Sequence, residues 1–89
     1  MTTGKLVRVR WHDAHAIGTG WMGVDEIDAG PRNISTVGWV IHGVKAGHLV
    51  LVGSVDDDMI DGGIAIPIGM IREIVELVDG ARLPVEQLS

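Results

Sequence analysis

Thr36 to His42 (TVGWVIH) and His48 to Val55 (HLVLVGSV), joined by Gly43-Val44-Lys45-Ala46-Gly47, decide how this chain folds. Two runs of β-branched and apolar residues separated by a short glycine-bearing connection predict a hairpin. Nearly every position in both runs is apolar. Neighbouring side chains on a strand point to opposite faces, so Leu49, Val50, Leu51 and Val52 cannot all reach one small core. The sequence therefore predicts strands covered on both sides, either by a barrel interior plus a contact between copies of the chain or by strong bending. Gly38 and Gly53, inside the runs, suit the bulges and tight bends of a small barrel.

Before the hairpin, Lys5 to Trp11 alternates: Val7, Val9 and Trp11 fall on one face, Arg8 and Arg10 on the other. That is a half-buried strand with a basic outer face. His12 to Gly20 (HDAHAIGTG) reads as a loop, Trp21 to Val24 as a short strand, and Asp25 to Ser35 as a second loop or a turn with a helical start. After the hairpin, Asp56 to Gly63 (DDDMIDGG) reads as an acidic turn and Ile64-Ala65-Ile66 as a strand ended by Pro67. Ile71 to Val78 fits both periods. The Pro67 and Gly69 breakers favour a one-turn 3₁₀ element followed by a final strand, with a two-turn helix ending at Gly80 as the alternative. Residues 1–80 then form one all-β domain of about five bent strands, and residues 81–89 a loosely held tail.

Composition bounds the function. The chain has 89 residues, 46% hydrophobic and 21% charged, too apolar for disorder and long enough for one small core. Seven Lys and Arg against twelve Asp and Glu disfavour general nucleic-acid binding, which needs the opposite balance. The absence of cysteine removes disulfide scaffolds, thiolate zinc sites and cysteine nucleophiles. No apolar run approaches the roughly 20 residues that span a bilayer, and no leader-like stretch opens the chain, so no membrane partner and a cytoplasmic location are expected.

No catalytic constellation emerges. The three serines lack a G-x-S-x-G elbow. His12, Asp13 and His15 offer metal-type ligands without a third and fourth at suitable spacing, and solvated loop residues explain them better. Asp56, Asp57, Asp58 and Asp61 lack the closing bidentate Glu of a calcium loop. No cofactor, metal or enzyme activity is therefore expected. Anion binding has more support. Gly18-Thr19-Gly20 can present backbone N–H groups, and Arg8, Arg10 and Arg32 supply local positive charge. Of the three tryptophans, Trp39 reads as core and Trp21, flanked by Gly20 and Gly23, as an exposed platform able to stack on a base.

Val9-Arg10-Trp11-His12-Asp13, Gly20-Trp21, Thr36-Val37-Gly38-Trp39, Leu49 to Ser54, Asp56 to Asp61, and Ile66-Pro67 through Ile71, Ile74, Glu76 and Leu77 follow one another in an order that resembles a group of small phage and prophage proteins. The same outline is similar to SH3-like and Sm-like small barrels, whose final strand follows a one-turn element. The basic, uridine-reading loops of Sm-like proteins and their N-terminal helix signal are missing here. For a small phage barrel, the resemblance implies a counter-defence protein that sequesters a cyclic-nucleotide or ADP-ribose-derived signal in pockets shared between subunits, in the host cytoplasm. On that reading the chain is a homo-oligomeric, non-enzymatic sponge. Trp21 would stack on a base, Arg8, Arg10 or Arg32 would meet phosphate, and Gly18, Thr19 and Gly20 would close around it. The alternatives are an interaction module that caps or inhibits a host enzyme and an Sm-like RNA-binding ring.

Overall fold

The computed structural model describes residues 2–13, 21, 23–26 and 32–88. Strands β1 (Thr2–Asp13), β2 (Arg32–His42), β3 (His48–Asp56), β4 (Met59–Pro67) and β5 (Ile71–Glu76) form one open antiparallel sheet in the order β4-β3-β2-β1-β5. The 3₁₀ turn Ile68–Met70 links β4 to β5, so the segment with two competing periods is the turn and final strand expected of it. Pro67 explains the break, because it ends β4 with no N–H to offer the ladder. Two further 3₁₀ turns lie at Val24–Glu26 and Val85–Leu88. Among the described residues no helix is long and apolar enough to cross a membrane.

The sheet is curled. Val7, Val9 and Trp11 of β1 share one buried cluster with Leu51 of β3 and Ile66 of β4. Two strands separate β1 from β4, a gap of about 14 Å in a flat sheet, so only strong curvature brings them together. Ile34, Val40, Leu49, Ile64, Met70 and Ile71 pack around this cluster. The small all-β fold expected from the sequence is the one observed, with β4 and β5 left as edges of the open sheet.

Gly38 sets the approach of β3 to β2. A Cβ there would lie 2.8 Å from the Val52 carbonyl oxygen and 3.2 Å from Leu51 Cβ, closer than side chains come. The connection to β3 also needs glycine, since Gly43 and Gly47 both have positive φ.

The alternation in β1 holds: Val7, Val9 and Trp11 are buried, Arg8 and Arg10 exposed. Trp11, 7% exposed, donates its indole N–H to Thr36 Oγ1 at 3.0 Å, which satisfies the one polar atom it takes inside. Trp11, rather than Trp39, is thus the core tryptophan. Trp39 pairs with Leu6 and Val52 across the ladders and is only half-buried.

Several boundaries move. β2 begins at Arg32 instead of Thr36, because Arg32 to Ser35 pair with Arg10 to Asp13. Val24 belongs to a 3₁₀ turn rather than a strand, and Met22 lies outside the described residues. The acidic stretch is mostly ladder. Only Asp57 and Asp58 turn, while Asp56 pairs with Met59 and Ser54 with Asp61. The hairpin's second face also differs from expectation. Leu51 belongs to the core cluster and Leu49 packs against it, yet Val52 and Ile41, outside that cluster, are only 1% and 3% exposed. A single chain therefore hides much of what seemed to require a neighbour.

Apolar side chains left uncovered include Val37, Ile74 and Val78 on the body and Val55, Met59 and Ile60 farther out. β2 pairs with β3 only at Trp39, Val40 and Ile41, whereas β3 and β4 stay paired out to Asp56 and Met59. Residues 53–62 thus form a two-stranded arm beyond the body. The radius of gyration is 17.3 Å, where a compact domain of this length has about 12 Å. At the tip, Asp57 holds a left-handed φ of 49° at the first position of a two-residue turn, a place that favours glycine. Asp57→Gly is expected to stabilise the arm by up to about 1 kcal/mol, seen as roughly fivefold slower amide exchange at Val55 and Ile60. Faster exchange there would contradict this account of the turn.

Candidate functional site

The first residues to consider are those of the basic face. Arg8, Arg10 and His12 alternate along β1, and the ladder sets them opposite Val37, Ser35 and Asn33 of β2. On the other flank of β1, Arg10 is opposite Glu73 and Trp11 is opposite Ile71. Arg72 is skipped. It is the extra residue of a β-bulge, and a bulge re-aims the side chain it carries. The Arg72 guanidinium donates through Nη1 to the carbonyl oxygens of Gly69 at 3.0 Å and Ile71 at 3.2 Å, which braces it at the end of the sheet.

The result is a cleft of about 190 Å³ lined by Arg10, Trp11, His12, Asn33, Ile34, Ser35 and Arg72. Trp11 and Ile34, a cross-strand pair, supply its apolar lining. Its polar groups are two guanidinium ions, an imidazole, an amide and a hydroxyl. Guanidinium groups offer planar, paired donors that match phosphate or carboxylate oxygens, and Asn and Ser add neutral donors. Glu73 tempers the charge, with Oε1 at 3.6 Å from Arg8 Nη2 and 4.0 Å from Arg10 Nη1. These pairs are about half exposed, as is the Lys5–Glu76 pair at 3.2 Å, so each contributes little to stability. They can yield to a ligand anion.

Of the residues expected to bind ligand, Arg10 alone lines this cleft. Arg8 shares its face but turns to Glu73. Arg32 is exposed and pairs across the ladder with Asp13, one step beyond the His12–Asn33 pair at the cleft. Trp21 is fully exposed, as expected of a platform, and does not line the cleft. Gly18, Thr19, Gly20 and His15 lie outside the described residues. The connection that contains them joins Asp13 to Arg32, so it springs from the cleft end of the β1–β2 ladder. Among the described residues no three His, Asp or Glu side chains converge as a metal site.

Sequence reasoning missed His12 as an anion group, and it missed Asn33, Ser35 and Arg72 altogether. Asn33 and Ser35 were hidden by placing the start of β2 too late. Arg72 carried no signal, since its role depends on the shift in pairing between Arg10 and Trp11.

An all-β, five-stranded sheet with a basic cleft at one end is the class that fold and site define. No protein-family model, curated protein or solved structure matches the chain.

Proposed function

We propose that the protein is a non-enzymatic, self-associating binder of a phosphorylated small molecule, with the cleft at the β1–β2 end as its anion site. The carrying observation is that Arg10 and Arg72 line one cleft beside Trp11, with Arg72 carried there by a bulge. Two guanidinium ions with neutral donors beside them recognise phosphate well. Sequestration follows from binding alone and needs no chemical step by the His12 imidazole or the Ser35 hydroxyl that also line the cleft. Trp21, exposed on the connection that leaves the cleft end, supplies a face for a base. A cyclic-nucleotide or ADP-ribose-derived signal combines both features, and the resemblance to small phage barrels points to the same ligand class. A phage-type sponge is therefore the specific form of the proposal.

Titration calorimetry with cyclic di- and trinucleotides and ADP-ribose derivatives should give heat with at least one of them at tens of micromolar protein. Arg10→Ala and Arg72→Ala should each weaken that binding about tenfold or more, the loss of a charge-assisted contact. Glu73→Gln should tighten it several-fold by releasing Arg8 and Arg10. Denaturing the complex should return the ligand intact; recovery of products would identify an enzyme instead. Silence across the whole panel would overturn the proposal, and a single stoichiometric protein captured in its place would favour the enzyme-capping reading.

A further inference from the structure

We infer that copies of the chain assemble by strand exchange, the β3–β4 arm of one lying antiparallel along the open edge of β2 in the next. The inference deepens the self-association in the proposed function and is independent of any ligand.

Two unpartnered features of the same chain carry it. Along β2, residues 33–37 pair with β1 on one side only; among the described residues nothing pairs with their other side. Along the arm, residues 53–56 of β3 pair with β4 on one side and likewise have no partner on the other. Each is a row of backbone donors and acceptors open to another strand. Within one chain they cannot meet, because pairing stops at Trp39 and Val52 and the strands diverge. Between chains the divergence is no obstacle.

Side chains supply the adhesion. Val55 and Ile60 are cross-strand partners, in step with Leu51 and Ile64 and therefore on the face that builds the core. They carry that apolar face out of the body, where they are 37% and 40% exposed. Laid beside β2 of a neighbour, they continue its own core face past Ile34. Charge fits as well. The arm bears Asp56, Asp57, Asp58 and Asp61, and the strand end that would receive it bears Arg32, opposite Asp13, with Arg10 and His12 on β1 beside it. A second copy of this chain therefore matches the edge in backbone, apolar surface and sign of charge. The arm also becomes a wall of the neighbour's cleft, since Asn33, Ile34 and Ser35 line both.

Native mass measurement of the full chain at micromolar concentration should give a multiple of 9.5 kDa. Ile60→Asp should return it to a single 9.5 kDa chain with an unchanged far-UV circular dichroism spectrum. The natural chain has no cysteine, which permits a second test that does not depend on that variant. A chain carrying Asn33→Cys, mixed with one carrying Asp58→Cys and treated with a short bis-maleimide, should form a covalent heterodimer. A lone wild-type subunit would overturn both the exchange and the self-association. An oligomer unaffected by Ile60→Asp, or one giving no such heterodimer, would overturn the exchange while leaving self-association and ligand binding standing.

Discussion

Ile66→Ala is expected to remove most of the stability of the fold. Ile66 is fully buried and belongs to the one cluster that joins β1, β3 and β4. Truncating such a side chain costs its transfer free energy plus the cavity left behind, about 2–5 kcal/mol. Natural domains hold about 5–15 kcal/mol in all, and a chain this small belongs at the lower end. Urea unfolding followed by tryptophan fluorescence should therefore show a midpoint far below that of the wild type, or no folded baseline. Ile60→Ala is the internal control. The residue is identical and the deleted atoms are the same, but the site is on the arm and part-exposed, so the single-chain cost should stay below about 1 kcal/mol. Equal midpoints for the two variants would mean that the cluster around Val9 and Ile66 is not the core.

Gly38→Ala should be nearly as damaging, although it adds only a methyl group. The new Cβ would lie 2.8 Å from a backbone carbonyl oxygen, an atom that cannot swing aside as a flexible side chain can. Strands β2 and β3 would have to part at the first of their three pairs. Overpacking of this kind costs about 1–3 kcal/mol. The same substitution at Gly80, where a Cβ meets nothing within 4 Å, should leave the midpoint almost unchanged. Amide exchange at Val40, Leu51 and Val52 should quicken in Gly38→Ala and in no arm variant. A wild-type midpoint for Gly38→Ala would contradict the close approach of these strands.

Much of the fold was legible in the sequence because it rests on period-two patterning and on breakers. Val7, Val9 and Trp11 announce their face by alternation with Arg8 and Arg10, and Pro67 with Gly69 locates the 3₁₀ turn. The boundaries that moved are those where a ladder, not a propensity, makes the strand. Arg32, Asn33, Ser35, Asp56 and Asp61 are polar, and their ladder partners hold them extended. Trp39 shows a related limit. Its apolar neighbours suit a core position, but the register places it on the opposite face from Leu51 and Ile64.

The site was legible only in part. Arg10 could be picked out as the outward residue of a basic strand. Arg72 could not, since nothing in IREIVE marks which residue a bulge will skip. Of the hairpin's apolar flanks, Val52 and Ile41 are buried within the single chain, while Val37 and Val55 stay exposed. On the arm, Val55 and Ile60 stand among aspartates and glycines that disguise them in the sequence.

The central place of β1 has a consequence for how the molecule is made. The first strand is flanked by β2 and by the last, as the Val9–Ile74 pair shows. During translation its second flank stays bare until β5 has left the ribosome. Contacts so distant along the chain make folding slow, on the order of milliseconds to seconds for small β-proteins. A nascent chain stalled before Ile71 should then be protease-sensitive even though its central hairpin is already complete.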